Sequence, residues 1–390
     1  MISSSTIARA LALLLLLAGP LAAQDPLRLV YLGMADDPYY EPQPFYTGLS
    51  LRDRHRPLEG VQLGLRDTRV LARATGLSFE LSELMTTPAE LARNLQTMGA
   101  SPPLAVLLDL PPEQMSEALR LSGPDTLFLN IRDAADRWRA EDCAPNLLHI
   151  MPSEMMLSDA LAQYLRAQNW RDILLVHGAT DADAERAAAA RRSAAKFGLR
   201  IVDERMFELT NDPRRRDHNN IALLTGGARY DVVWLVDDLG DFGRYLPYAT
   251  YAPRPVVGSE GLVARAWHWT FERYGAPQLN QRFHRLAGRE MSSEDWAGWA
   301  AVKALAEAAI HSGSAEPSRI KEALRSPELS VDLYKGVRGN FRLWNGQLRQ
   351  PIVLATSNAV LAVAPISGFA HETETLDTLG QDRKETACSH

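Results

Sequence analysis

The sequence lacks the features by which nucleic-acid-binding proteins and most cofactor-dependent enzymes are recognised. It carries 42 Lys and Arg against 48 Asp and Glu, a formal net charge of −6, whereas phosphate contacts by basic residues supply most nucleic-acid affinity. It has no phosphate-binding G-x-x-x-x-G-K-[ST] motif and no G-x-G-x-x-G after the first predicted strand, and its nine histidines show no H-E-x-x-H spacing. We therefore expect no nucleic-acid partner, no metal, no cofactor and no enzymatic activity.

Apolar runs long enough to cross a membrane are also missing. The run at residues 10–18 follows Arg9 and has about nine residues, whereas a membrane-spanning helix needs about 20. The small pair Ala22-Ala23 comes shortly after it, a pattern typical of a signal peptide that is cleaved before Gln24. We expect residues 1–23 to be removed and the mature protein to be exported to the periplasm.

Cysteine is scarce, with only Cys143 and Cys388 in the chain. An even number of cysteines in an exported protein favours a disulfide, because export compartments are oxidising. The alternative is one buried thiol and one free thiol in the tail.

Strand-like and helix-like segments alternate along the first two thirds of the chain. From Leu27 to Leu129 the order is β-α-β-α-β-α-β over about 105 residues, which predicts a parallel sheet with helices on both faces. Continuous apolar runs such as Leu104–Leu108 are typical of strands buried on both faces. The pattern restarts between about residues 148 and 260, so the predicted fold class is α/β with two successive units of one architecture.

The last third of the sequence contains both helical and strand-like patterns. Residues 293–309 and 317–325 have helical patterns. The alternation from Phe341 to Leu354 predicts a β-hairpin with a type I′ turn at Asn345-Gly346. From His371 onward the chain is polar, and we expect it to wrap the surface.

Polar and acidic residues follow several of the predicted strands, where ligands bind in open α/β sheets. The candidate ligand-binding residues are Tyr39, Asp109, Asn130, Arg132, Asp133, Asp237, Asp238 and Glu260, with Asp36 and Asp37 after the first strand. Arg132 is the only cation that we place beside these carboxylates, and burying an unpaired carboxylate is costly. A ligand with positive charge is therefore predicted. The alternative is that most of these carboxylates cap helices and face water.

Several stretches resemble the type I periplasmic solute-binding proteins of ABC importers, of the branched-chain amino acid class. They are Val257–Leu262 (VGSEGL), Trp299–Ala308 (WAAVKALAEA) and Tyr334–Phe341 (YKGVRGNF), the last followed by Asn345-Gly346-Gln347. The resemblance covers about residues 27–360. It implies a small polar, amino-acid-like solute bound between two lobes that close like a hinge, with a permease and an ATPase in the inner membrane as partners. Glu260 matches the glutamate that grips the ligand's ammonium group in that family.

The resemblance also implies how the chain is divided. Lobe 1 would comprise residues 24–147 and 278–337, and lobe 2 residues 148–277 and 338–368, with crossings near 147, 277 and 338. Residues 369–390 would form a polar tail. The small hydroxyl residues that follow the third strand in that family are replaced here by Asp109-Leu110-Pro111-Pro112.

Finer segments resemble a subgroup found with alcohol dehydrogenase systems that depend on pyrroloquinoline quinone (PQQ). These segments are Cys143–Ser153, Tyr274–Leu279 and Leu376–Gly380. The likeness implies a link to such an alcohol oxidation system and no catalytic role for this chain. A periplasmic sensor or accessory protein on the same fold, without transport, is the alternative function.

Export can be tested directly by intact-mass analysis of protein recovered from the periplasmic fraction. The mass should correspond to a chain that begins at or next to Gln24. Exported protein that still carries residues 1–23 would contradict the signal-peptide prediction.

Overall fold

The first sheet is built from apolar runs that helices cover on both faces. The computed structural model describes residues 25–42, 54–210 and 212–388, so the predicted signal peptide lies outside the described residues. Five strands pair in parallel in the order β2-β1-β3-β4-β5. They are β1 (Leu27–Met34), β2 (Phe79–Thr86), β3 (Ala105–Asp109), β4 (Phe128–Asn130) and β5 (Leu147–His149). Every residue of β3 and β4 is buried, as expected for central strands of such a sheet.

A second parallel sheet has the order β7-β6-β8-β9. Its strands are β6 (Asp172–His177), β7 (Arg200–Met206), β8 (Val232–Val236) and β9 (Val256–Gly258). The remaining strands are β10 (Val263–Arg265), β11 (Val331–Asp332), β12 (Arg338–Gly339), β13 (Ile352–Ala355) and β14 (Val360–Ala364). Of these, β10, β13 and β14 form an antiparallel sheet, and β11 pairs with β12.

The helices begin and end at residues suited to those positions. In chain order they are α1 (Leu58–Thr75), α2 (Pro88–Ala100), α3 (Pro112–Leu121), α4 (Glu154–Ala167), α5 (Asp181–Lys196), α6 (Ile221–Thr225), α7 (Leu246–Ala249), α8 (Ala276–Ala287), α9 (Ser293–Ser312) and α10 (Pro317–Leu324). Ser153 accepts a hydrogen bond from the Met156 amide and so caps α4, as the sequence predicts. Within the described part of the chain, no helix is long and apolar enough to cross a membrane.

The hydrophobic cores show that the chain forms two lobes and passes between them. The first sheet and α8–α10 share one core, and the second sheet, α4 and β13 share another. Ala264 belongs to the second core and Trp267 to the first, so the chain crosses between them. Phe341 belongs to the first core and Ile352 to the second, which marks another crossing. The predicted α/β, two-lobed fold is confirmed.

The predicted chain reversal at Asn345-Gly346 is present as a short antiparallel pairing, with the Arg342 amide donating to the Gln347 carbonyl at 2.9 Å and the Arg349 amide to the Asn340 carbonyl at 2.8 Å, but the predicted type I′ turn is wrong. Phe341 and Leu348 form a single antiparallel bridge, and only Gly346 has a positive φ, whereas a type I′ turn requires it at both central residues. A longer antiparallel hairpin joins β13 and β14. The side chain of Arg342 is buried and its Nε donates to Asp377 at 2.7 Å, a non-local contact that the alternation does not encode.

The C-terminal tail is not confined to the surface. Residues 376–379 are buried, and Asp377 is only 1% exposed because buried and half-buried arginines pair with it. Beyond this segment, Cys388 is joined to Cys143 by a disulfide, with the two Cα atoms 5.6 Å apart.

The close packing of α1 against α9 depends on Gly60. A Cβ atom at this position would overlap the backbone carbonyl of Asp295. Gly60→Ala should therefore lower the free energy of unfolding by about 1–3 kcal/mol, measured by urea denaturation. Gly99→Ala in α2 is the matched control, because nothing lies within 4 Å of its Cβ position. The control should be unchanged or up to about 1 kcal/mol more stable. A Gly60→Ala protein as stable as the wild type would contradict this packing.

Candidate functional site

A cavity of about 440 Å³ lies between the two lobes, and both contribute its walls. Tyr39 and Arg132 reach it from loops that follow β1 and β4 of the first sheet, and Arg54 from the segment before α1. Arg186 on α5 and Asp238 after β8 face it from the second lobe. Its position beyond the carboxyl ends of parallel strands is where ligands bind in α/β proteins.

Behind the first-lobe wall, Asp109 is the centre of a buried polar cluster. It is fully buried and accepts hydrogen bonds from the hydroxyl groups of Tyr31 and Tyr40. Nη1 of Arg56 lies 3.3 Å from one carboxylate oxygen of Asp109, and Nη1 of Arg132 lies 3.5 Å from the other. Burial raises the pKa of Tyr31 and of Tyr40, and the charge of Asp109 raises both further. Both hydroxyls therefore stay protonated and can act as donors.

Arg132 connects this cluster to the cavity. It pairs with Asp37, and its guanidinium carbon lies 4.2 Å from the ring centroid of Tyr39. Burial alone would lower the pKa of Arg132, but Tyr40, Asp109 and Asp37 together raise it. The residue therefore keeps its charge although its side chain is only 10% exposed.

Tyr39 is held in the cavity wall by cations. The guanidinium carbon of Arg54 lies 4.2 Å from its ring centroid, as does that of Arg132, and such stacking is attractive. Burial raises the pKa of Tyr39 and Glu294 adds to the effect, while Arg54, Arg132 and Arg186 oppose it. Its hydroxyl is therefore protonated at neutral pH.

A second charged network joins the two lobes across the cavity. Asp238 accepts a hydrogen bond from Nη1 of Arg186 at 2.7 Å and lies 3.4 Å from Nη2 of Arg54. Nε of Arg186 donates to Glu154 at 3.0 Å. The pKa of Glu154 is raised by burial, an effect that Arg186 opposes. Because Arg54 belongs to the first lobe and Asp238 to the second, this contact spans the cleft.

The cavity brings together five of the eight residues that the sequence predicts as ligand-binding. These are Tyr39, Arg132, Asp133, Asp237 and Asp238. Asp109, Asn130 and Glu260 are not among the described residues that line the cavity.

Several of the predicted residues shape loops. Both carboxylate oxygens of Asp237 accept backbone amides, from Gly240 at 2.8 Å and Gly243 at 2.7 Å. Asp133 accepts hydrogen bonds from the Ala135 amide and from Nε1 of Trp138. Asp237 and Asp133 therefore organise loops, but Asp237 is buried, whereas the alternative prediction has such carboxylates face water.

Asn130 and Glu260 lie beside the cavity. The side-chain oxygen of Asn130 accepts the amides of Arg132 and Asp133, so it fixes the loop that carries Arg132. Glu260 is half-buried in a turn next to Gly243.

The expectation that Arg132 is the only cation beside these carboxylates is wrong. Arg54, Arg56 and Arg186 also pair with them. The expectation that binding residues directly follow strands does not identify these arginines, because Arg186 lies within a helix and the other two precede a helix. The alternation Arg52-x-Arg54-x-Arg56 directly before Pro57 is the available sequence signal.

No family model matches the sequence, and no curated protein is significantly similar to it. Solved structures do share its fold. A putative branched-chain amino acid ABC transporter protein from Rhodospirillum rubrum superposes with a TM-score of 0.67 at 14% identity, covering 86% of this chain and 99% of its own. A branched-chain amino acid ABC transporter ligand-binding protein from Burkholderia xenovorans gives 0.66 at 15% identity, covering 86% and 95%. A solute-binding protein from R. palustris in complex with benzoate gives 0.60 at 12% identity, covering 86% and 95%.

The chain has the two-lobed fold of the type I periplasmic binding proteins. At these identities the likeness establishes the fold alone. The role of the cleft therefore depends on its own side chains.

Asp109 should matter for stability, because it neutralises buried arginines behind the cavity. Asp109→Asn leaves the charges of Arg56 and Arg132 less compensated and should lower the free energy of unfolding by about 3–5 kcal/mol in urea. Asp36→Asn is the matched control, since Asp36 is exposed, and should change stability by no more than about 0.5 kcal/mol. Equal stability of the Asp109→Asn and wild-type proteins would contradict the structural role.

Proposed function

We propose that this chain is the periplasmic solute-binding protein of an ABC importer, and that it captures a small amino-acid-like solute between its lobes. The observation that carries the proposal is the cavity itself, which both lobes line and which the contact between Arg54 and Asp238 spans. The captured solute would be handed to a permease and an ATPase in the inner membrane. The predicted signal peptide is consistent with export to the periplasm.

The charge balance of the cleft favours a zwitterion over a cation. Asp238 is shared by Arg54 and Arg186, and Arg186 also pairs with Glu154. Because Asp238 and Glu154 already have arginine partners, these two carboxylates do not need a cationic ligand to neutralise them on closure. The argument for a positively charged solute therefore loses its premise.

Glu294 is the carboxylate that we assign to the ligand's ammonium group. It lines the cavity in the first turn of α9, near Tyr39, and forms no ion pair with any described residue. The sequence resemblance points to Glu260 for this role, but Glu260 is not among the residues that line the cavity. The carboxylate of the solute would then face the guanidinium groups of Arg54 and Arg186.

Part of the remaining wall is apolar. It is formed by Leu110 from the first lobe and by Met151, Leu161 and Trp234. All four are buried, with Trp234 only 3% exposed. Apolar walls with a few directed polar groups are typical of small-molecule sites. This wall suits the hydrocarbon or aromatic side chain of an amino acid.

The charge requirement can be tested with three compounds on one skeleton. Thermal shift and calorimetry would compare leucine with 4-methylpentanoate and 3-methylbutylamine, and phenylalanine with 3-phenylpropanoate and 2-phenylethylamine. We expect one of the amino acids to stabilise the mature protein most, by about 2.7 kcal/mol at 100 times its Kd. An amine that binds more tightly than its amino acid would restore the cationic-ligand hypothesis, and an acid that does so would remove the role of Glu294.

Glu294→Gln should weaken binding of the preferred amino acid by about thirtyfold or more, equivalent to about 2 kcal/mol. Its effect on the deaminated acid should be small, because that compound has no ammonium group. Glu260→Gln is the matched control and should change the Kd less than twofold. A larger loss in Glu260→Gln than in Glu294→Gln would show that the resemblance identifies the ammonium site and the cavity lining does not.

The link to a PQQ-dependent alcohol oxidation system is supported by the sequence segments alone. In the structure these segments have structural roles, since Cys143 is disulfide-bonded, Ser153 caps α4 and Leu376 is buried. The proposal predicts that deleting the gene impairs growth on an alcohol oxidised by such a system and spares growth on the corresponding acid. Equal growth of the deletion strain on both would remove the link and leave the solute-binding function standing.

A further inference from the structure

We propose that residues 376–388 form a C-terminal strap that ties the two lobes together and depends on the disulfide to do so. The strap contacts both the second lobe and a crossing segment through residues 376–380 at its N-terminal end, and the first lobe at its C-terminal end. Its effect on ligand retention rests on the proposed function, whereas its effect on lobe separation does not.

The second-lobe end of the strap is held by buried polar contacts. The Gly380 amide donates to Asp159 of α4 at 2.7 Å, and the Gly380 carbonyl accepts from Nζ of Lys196 at 2.8 Å. Nε2 of Gln163 donates to the Thr378 hydroxyl at 3.0 Å. Asp159 and Gln163 are fully buried, so this end is anchored in the interior of the lobe.

The N-terminal end of the strap is also held at a chain crossing. Asp377 accepts from Nε of Arg342 at 2.7 Å and from Nε of Arg349 at 2.8 Å. Nη2 of Arg342 also donates to the carbonyls of Leu376 and Leu379. Both arginines lie between Phe341, which packs in the first core, and Ile352, which packs in the second.

The first-lobe end of the strap is covalent. The Ala387 amide donates to the Ala140 carbonyl at 3.0 Å, and the Thr386 hydroxyl donates to the Arg139 carbonyl at 2.9 Å. Next to these hydrogen bonds, Cys388 is bonded to Cys143. This part of the first lobe lies between β4 and β5, beside the buried Trp138.

The disulfide makes the strap a mechanical link. Eight residue-to-residue steps separate Gly380 from Cys388, and an extended chain of that length spans at most about 29 Å. The lobes cannot separate further at this face without breaking the bond or the Gly380 contacts. Without the disulfide, the two hydrogen bonds near residue 387 would hold the first-lobe end, and thermal fraying of a chain terminus readily breaks such contacts.

The test severs the strap at each end in turn. The variants are Cys143→Ser with Cys388→Ser at the first-lobe end and the triple change Asp159→Ala, Gln163→Ala and Lys196→Ala at the second, which removes the three second-lobe side chains that hydrogen-bond to the strap and leaves no buried charge unpaired. Arg191→Ala on α5 is the matched control, because it removes an exposed ion pair with Glu204 that does not involve the strap. Circular dichroism and thermal melting would establish that each variant is folded.

Small-angle X-ray scattering of the ligand-free proteins provides the first measurement. Both severed forms should show a larger radius of gyration than the wild type and the Arg191→Ala control. Cutting both ends should expand the protein no more than cutting one. The proposal is overturned if the scattering profiles of the wild type and the severed forms superimpose, or if only one of the two cuts expands the protein. It is also overturned if the wild type shows two free thiols in denaturant without reductant.

The second measurement is the dissociation rate of the preferred amino acid. It should rise by about fivefold in both severed forms, the low end of typical coupling between sites, and remain unchanged in Arg191→Ala. If no compound of the panel binds the wild type but the severed forms still expand, the solute-binding function fails and the strap stands. If the wild type binds and severing changes neither rate nor scattering, the strap fails and the function stands.

Discussion

When two lobes close over a cavity that contains carboxylates, the negative charges of those carboxylates must be neutralised. In this protein arginines neutralise most of them. Asp37 and Asp109 are neutralised within the first lobe by Arg56 and Arg132. Asp238 is neutralised from both lobes at once. Since an unpaired buried charge is costly to fold and to close upon, this pairing is the basis on which the proposed solute is zwitterionic.

The two charged networks differ in how firmly they are held. The first-lobe network is buried, and two tyrosine hydroxyls and two stacked rings complete it, so its geometry is formed before any ligand arrives. The contact between Arg54 and Asp238 is longer, at 3.4 Å, and both side chains are about one fifth exposed. A preformed wall in one lobe and a longer, more exposed ion pair between the lobes suit the proposed capture of a solute by closing lobes.

The regular elements follow from local sequence, and the site follows from it only in part. Apolar period and capping residues are local, so β3, α3 and the Ser153 cap lie within a residue or two of their predicted positions. The strand-end rule finds Tyr39, Arg132 and Asp238, because parallel strands bring those ends to one edge. It does not find Arg54 or Arg186, which reach the cavity from helices or the segments before them.

Long-range pairing explains the remaining differences. The polar tail is buried because Asp377 meets Arg342 and Arg349, and neither arginine is marked in the sequence as its partner. With two cysteines in the chain, the identity of a disulfide pair needs no structure, but its role in tying the lobes depends on the contacts of residues 377–380.

In the proposed function, a charge-balanced cleft between two lobes binds a zwitterionic solute. A crystal structure of the mature protein with the preferred amino acid would test this binding mode. We expect the solute to lie between the lobes. Its ammonium group should lie within about 3 Å of the Glu294 carboxylate, and the carboxylate of the solute within about 3 Å of Arg54 or Arg186. A solute bound outside the cleft, or held by one lobe alone, would contradict it.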